Sequence, residues 1–164
     1  MLESLSFEQA IVYTTDILSR DSLSDIELQE AIANLVSTDN GARGFFVAYL
    51  TSEIANQHSE AIVQAIRHVP VPSAELLVKN LAMSTAMAIA HRRNQNESLA
   101  LGSDQVRDRT ASLINRLKLA EVQRIGNLMQ LSAQSGVGEY ASFLTKWGYD
   151  AEQRRAIATI ISTV

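Results

Sequence analysis

The stretch "LAMSTAMAIAHRRNQ", residues 81–95, decides how the rest of the chain is interpreted. It carries no charged side chain before His91–Arg93, and alanine recurs every four residues from Ala82 to Ala90. A helix that is apolar on nearly all sides is usually buried. Small residues also let neighbouring backbones approach closely. The stretch therefore predicts the C-terminal half of a central buried helix at 73–93.

Helical periodicity continues on both sides of this segment. Apolar residues recur at helical spacing through most of the chain, and no alternating run of strand length is present. Candidate N-caps support this interpretation: Ser6, Ser73, Asp150, and Ser24 in a capping box with Glu27. Residues 94–98 are polar and predict a loop, and Pro70 predicts the end of the preceding helix. We expect an all-α fold of about nine helices.

The two flanking regions resemble each other, which predicts an internal repeat. "IANLV" at 32–36 matches "IGNLM" at 125–129, and "GFFVAYLT" at 44–51 matches "GEYASFLT" at 138–145. "ILSRDSLSDI" at 17–26 and "AIVQAI" at 61–66 find counterparts at 113–122 and 156–161. We therefore predict two pseudo-repeated four-helix units, about 6–69 and 103–163, joined by the helix at 73–93. Together they are expected to form a single compact domain, 1–164.

Charge is distributed unevenly along the chain. Residues 1–72 carry 3 basic and 10 acidic side chains, whereas residues 73–164 carry 11 basic and 8 acidic ones. Such polarity orients parts of one molecule or favours head-to-tail contacts between copies. We expect a homo-oligomer or a complex with another protein.

Composition narrows the classes of function. The chain has no cysteine, which excludes disulfides, thiolate zinc sites and thiol nucleophiles and fits a cytoplasmic protein. Neither a secretory signal nor a membrane span is expected. No H-E-x-x-H pattern, no G-x-S-x-G elbow and no paired catalytic carboxylates occur, so we predict no metal, no cofactor and no catalytic residue. Whether the protein is an enzyme stays open, with the balance against it.

Aromatic and methionine side chains are the candidate binding residues. Core packing is the simplest role for them, but exposed rings would anchor a partner or line a cavity for an apolar ligand. Methionines of the central helix would supply adaptable contacts. The candidates are Phe45, Phe46, Tyr49, Met83, Met87, Tyr140, Phe143 and Trp147.

A second set of candidates is cationic. His91, Arg92 and Arg93 suit the C-terminal end of a helix, where they interact favourably with the last carbonyl groups, and they could also contact an anion. Arg43 lies between Gly41 and Gly44 and is a further candidate for an anion contact. Nucleic-acid binding is not expected, because acidic residues are interspersed among the bases.

Two functions therefore stay open. The preferred one is a non-catalytic helical interaction, scaffold or adaptor protein that self-associates. The alternative is a carrier or sensor that binds an apolar small molecule between the two helical halves.

Overall fold

A computed structural model describes residues 5–53 and 59–164, and over these ranges the chain forms nine α-helices and no β-strand. The predicted all-α class is confirmed. The helices are α1 (Phe7–Leu18), α2 (Asp25–Val36), α3 (Asp39–Thr51), α4 (Ser59–His68), α5 (Val71–Arg93), α6 (Glu97–Leu117), α7 (Ala120–Ser135), α8 (Ala141–Lys146) and α9 (Ala151–Ile161).

The chain divides into two compact units, Met1–Leu76 and Leu77–Val164. The boundary falls inside α5, the helix predicted to link the two repeats. The single-domain prediction stays a prediction, and each unit is described by itself.

In the first unit, α1 packs on α3 and α2 packs on α4. The crossing of α1 and α3 is very close: a Cβ added at Gly44 would lie 2.5 Å from the Cβ of Ala10. Phe45 and Phe46 are fully enclosed beside this crossing. The side chains of α1 to α4 therefore supply the core of this unit.

In the second unit, α7 packs on α9 and on the short helix α8. The hydroxyl of Ser132 in α7 accepts the backbone N–H of Tyr140 at 3.1 Å, which holds the start of α8. Gly138 precedes α8 with φ +113°, a conformation that residues with side chains rarely adopt. Leu144 of α8 and Ile157 of α9 are fully buried.

Equivalent positions of the two sequence copies have similar surroundings. Ile62 and Ile157 are both fully buried, as are Val36 and Met129. The pairing of α2 with α4 has its counterpart in the pairing of α7 with α9. The close pairing of α1 with α3 has no such match, because α8 is only 6 residues long against 13 for α3. These similarities support the pseudo-repeat, which stays a prediction; residues 54–58 of its first copy lie outside the described residues.

Most caps are observed where they were predicted. Ser6, Ser24 and Asp150 open their helices, each in a capping box, and α4 ends at His68 before Pro70. The prediction for Ser73 was wrong: α5 already begins at Val71, since prolines are well accommodated in a first turn.

One other boundary differs from its prediction. The predicted loop 94–98 ends early, because the Asn96 side chain accepts the N–H of Leu99 and caps α6 from Glu97 onward. The glycines at 41 and 44 lie inside α3, which is capped by Thr38. Their small size is needed for close packing, since a Cβ at Gly41 would lie 1.9 Å from the carbonyl oxygen of Leu35.

Candidate functional site

The first aromatic cluster lies in the core of its unit. Phe45 makes an edge-on contact with Phe46 at 5.3 Å and stacks on Tyr49 at 5.4 Å between ring centroids. All three side chains are at least nine-tenths buried. Their rings stabilise α3 in the fold, and a partner-binding role for them stays a prediction without geometric support.

The second aromatic cluster is more accessible. Tyr140 is buried, Phe143 is half-buried and Trp147 is 50% exposed. The ammonium group of Lys79 lies 5.5 Å from the centroid of the Phe143 ring, which is a cation–π distance. This contact connects α8 with α5 near a surface that carries an exposed indole.

The central helix is not covered on every side. Leu81, Ala82 and Ala86 are fully buried, but Met83 is only half-buried and Met87 is 37% exposed. The two methionines are four residues apart and share one helical face. That face reaches solvent in the second unit.

The cationic candidates at the end of α5 are engaged in ion pairs. Arg92 donates to Asp104 at 2.6 Å and to Glu97 at 3.0 Å, which joins α5 to α6. Arg93 binds Asp150 at 2.5 Å and also Glu152, which joins α5 to the start of α9. Through these ion pairs the two arginines connect helices, and neither guanidinium forms a free anion site.

The pKa shifts at these pairs follow from the same contacts. The hydrogen bond from the Arg92 guanidinium holds the pKa of Asp104 below its usual range, and the hydrogen bond from Arg93 does the same for Asp150. His91 is half-buried beside these arginines. Both arginines already pair with carboxylates, which does not favour an anion contact at residues 91–93. That contact stays a prediction.

Arg43 has a different environment. Its side chain is exposed on α3, and its guanidinium lies 5.3 Å from the centroid of the Phe7 ring. The N–H of Gly41 is taken by the Thr38 side chain at 3.1 Å. This segment is therefore a capped helix start packed on α1, and the Gly41 N–H already has an acceptor within it.

The second unit contains a cavity of about 360 Å³, here called the Gly126 cavity. Its floor consists of buried residues of α5, α6, α7 and α9: Val78, Leu81, Ile114, Val122, Gly126 and Ile161. Its rim carries three exposed polar residues, Asn115, Lys118 and Gln123. Leu119, Ala120 and Val164 complete the lining. An apolar floor with a few polar groups at the edge is typical of small-molecule sites, and this volume lies at the small end of their range.

Gly126 contributes no side-chain volume to the floor of this cavity. It lies in the interior of the 16-residue helix α7, where glycine costs about 0.5–1 kcal/mol relative to alanine. A Cβ at this position would meet only Ile161 Cγ2 at 3.4 Å, an ordinary contact. Neither a tight turn nor a close helix crossing therefore requires the glycine.

The rim is shaped by an unusual backbone conformation. Lys118 ends α6 with φ 50° and ψ 44°, a left-handed conformation that costs a residue with a side chain about 1–2 kcal/mol. Leu119 then opens α7 without any side-chain hydrogen bond to the first turn. The strained turn places a lysine and an uncapped helix start at one edge of the cavity.

None of the aromatic and methionine candidates lines the Gly126 cavity. Sequence reasoning missed this site, although one signal for it was present. Where the first repeat has Ala33 in "IANLV", the second has Gly126 in "IGNLM". Alanine favours a helix more than glycine does. A glycine in its place therefore indicates a position where a side chain is missing.

Among residues 5–53 and 59–164, no group of three or more His, Asp or Glu side chains could hold a metal ion. No helix within the described part of the chain is long and apolar enough to cross a membrane.

A family model described as "Uncharacterised conserved protein UCP020893" matches residues 6–164, so the chain belongs to that family. No curated protein and no solved structure matches it.

Proposed function

We propose that this family member is a non-catalytic carrier or sensor that binds a small apolar molecule in the Gly126 cavity. The single observation that supports the proposal is the combination of an apolar cavity of about 360 Å³ with a helix-interior glycine that packing does not require. The cavity opens to solvent at its polar rim, so an apolar molecule bound on its floor would remove its own apolar surface and that of the floor from water.

The proposed site differs in position from the one expected from the sequence. The alternative function drawn from the sequence expected a ligand between the two helical halves, whereas every residue of the Gly126 cavity belongs to the unit Leu77–Val164. The class of function, binding without catalysis, is the same.

A pair of glycine variants tests the proposal. Gly126→Leu places a side chain in the cavity, and Gly102→Leu is its matched control, since an added Cβ at Gly102 of α6 meets nothing within 4 Å. Binding of a neutral apolar fluorophore, N-phenyl-1-naphthylamine, is measured for each protein, with circular dichroism as the check on folding. We expect the parent and Gly102→Leu to bind and folded Gly126→Leu not to bind.

Equal binding by both variants would show that the probe lies elsewhere and would overturn the proposal. If Gly126→Leu does not fold, Gly126→Ala serves instead, because its Cβ makes only an ordinary contact. It should then weaken binding without loss of structure.

A second function, self-association, is supported by a separate observation. The unit Leu77–Val164 carries a net charge of +4 and the unit Met1–Leu76 carries −8. On α1, the exposed Val12 and half-buried Tyr13 form an apolar strip between Glu8 and Asp16. We propose that this strip, with Glu8 and Asp16 beside it, contacts the positively charged unit Leu77–Val164 of a second copy. The contact would lie near Trp147, which is half-exposed.

Light scattering over a series of salt concentrations tests this second proposal. Charge attraction between copies predicts larger species at low ionic strength and smaller ones at high ionic strength. Trp147→Ala should reduce the association, whereas Leu99→Ala, which removes an apolar side chain of similar exposure on α6, should not. A monomer at every salt concentration would refute self-association and leave the cavity proposal intact.

A further inference from the structure

The polar side chains that line the Gly126 cavity all lie at its rim. The floor residues that are buried are all apolar, while the polar lining residues Asn115, Lys118 and Gln123 are all exposed at the rim. A ligand in this cavity would therefore have an apolar body directed inward and a polar end near solvent. The cavity therefore suits a small molecule whose body is apolar and whose one polar end lies at the rim.

The charge at the rim indicates the sign of that polar end. Lys118 is the cation of the lining, and no Asp or Glu side chain lines the cavity. Lys118 precedes the first turn of α7, where the positive end of a 16-residue helix lacks a side-chain cap. Both features favour an anion at the mouth, and neither would favour a cation.

The conformation of Lys118 adds a separate argument. Glycine is the usual residue for the left-handed position after a helix, because it adopts that conformation without strain. The chain has lysine there instead, and the backbone is left-handed nonetheless. A left-handed residue other than glycine is strained, and such strain is more frequent at functional sites than elsewhere.

We propose that the ligand is a small amphiphile with an apolar body and an anionic head group that Lys118 binds at the rim. This inference rests on the proposed function, since it needs the Gly126 cavity to be a binding site. Carboxylate and phosphate heads share the required chemistry, and the experiment distinguishes them.

The test compares four monomeric probes that share one chain: octanoate, octyl phosphate, octanol and octylamine. Binding to the full-length protein is measured by isothermal titration calorimetry or by NMR shift changes at low and high salt. We expect the two anions to bind about three- to tenfold more tightly than octanol, with octylamine weakest. The advantage of the anions should shrink at high salt, and the tighter of the two identifies the head group.

Two lysine variants locate the effect. Lys118→Asn removes the charge while retaining a residue that tolerates the left-handed conformation, and Lys146→Asn removes the same charge from an exposed position on α8. The preference for anions should disappear in Lys118→Asn and persist in Lys146→Asn. Binding of octanol should be unchanged in Lys146→Asn.

The outcomes separate the two proposals. Equal binding of all four probes, abolished by Gly126→Leu, would overturn the head-group inference and leave the cavity function standing. Failure of every probe to bind, with parent and Gly126→Leu alike, would overturn the cavity function and this inference together. An anion preference that survives in Lys118→Asn would refute the role of Lys118.

Discussion

The side-chain amide of Gln153 donates a hydrogen bond of 3.1 Å to the backbone carbonyl of Ala86. Gln153 is buried in the first turn of α9, and Ala86 is buried in the middle of α5. The side-chain oxygen of the same glutamine accepts the N–H of Asp150 at 3.0 Å and completes the capping box. One residue therefore both opens α9 and attaches it to the central helix.

Replacing Gln153 should weaken the second unit. Gln153→Leu keeps most of the volume but loses both hydrogen bonds, and we expect a loss of about 1–3 kcal/mol in the free energy of unfolding. Chemical denaturation measures this. Gln134→Leu, on the exposed surface of α7, is the control and should change stability by less than about 0.5 kcal/mol. Equal effects of the two variants would contradict the structural role of Gln153.

Enlarging Ala86 should strain the same region. The side chain is fully buried, so Ala86→Leu forces extra methyl groups into packed surroundings and should cost about 1–3 kcal/mol. Met87→Leu is the neighbouring control, because Met87 is 37% exposed. Thermal melts compare the two, and an unchanged melting temperature for Ala86→Leu would mean that this face of α5 is not packed.

The glycines at 44 and 102 should respond in opposite directions to the same change. Gly44→Ala places a Cβ 2.5 Å from that of Ala10 and should destabilise the first unit by about 1–3 kcal/mol. Gly102→Ala meets open space in α6 and should stabilise the protein by about 0.4–1 kcal/mol. The free energy of unfolding is measured for both. A Gly44→Ala protein as stable as the parent would show that α1 and α3 can move apart freely.

Tyr149 should make stability depend on pH in the alkaline range. Its buried hydroxyl has no hydrogen-bond partner among the described residues, and burial raises its pKa from 10.0 to about 12. Between these pH values the unfolded chain loses the proton first, so the free energy of unfolding falls as pH rises. The slope from this group is at most about 1.4 kcal/mol per pH unit.

Tyr149→Phe isolates that effect. The variant should lack this part of the alkaline slope, and at neutral pH it should gain about 1 kcal/mol because an unpaired buried hydroxyl is removed. Unfolding is followed at several pH values, with tyrosinate absorbance as a direct record of ionisation. Ionisation of Tyr149 near pH 10 in the folded protein would contradict its burial.

Local features of the sequence predicted much of the fold correctly. The caps at Ser6, Ser24 and Asp150 were found because a cap is a contact within one helical turn. The cap at Ser73 was misplaced because its neighbouring prolines fit inside the first turn as well as before it. The short length of α8 could not be predicted, since nothing in "GVGEY" reveals the positive φ of Gly138.

The candidate site was far less predictable. Aromatic residues were the natural candidates, but Phe45, Phe46 and Tyr49 proved to be enclosed by their own unit. The Gly126 cavity is bounded by side chains from α5, α6, α7 and α9, and no short pattern encodes a volume that four helices leave empty. Only one feature of the sequence pointed to this cavity: the second copy has Gly126 where the first copy has Ala33.

By itself, the sequence determined that this protein is helical and where α1, α2 and α9 begin, because apolar periodicity and capping act over a few neighbouring residues. The tertiary structure alone decided which side chains are available for binding. Arg92 and Arg93 are engaged by carboxylates 5 to 59 positions away, Trp147 is left half-exposed, and the space beside Gly126 stays open. Availability depends on what the rest of the chain places around a residue, and that is a property of the packed fold.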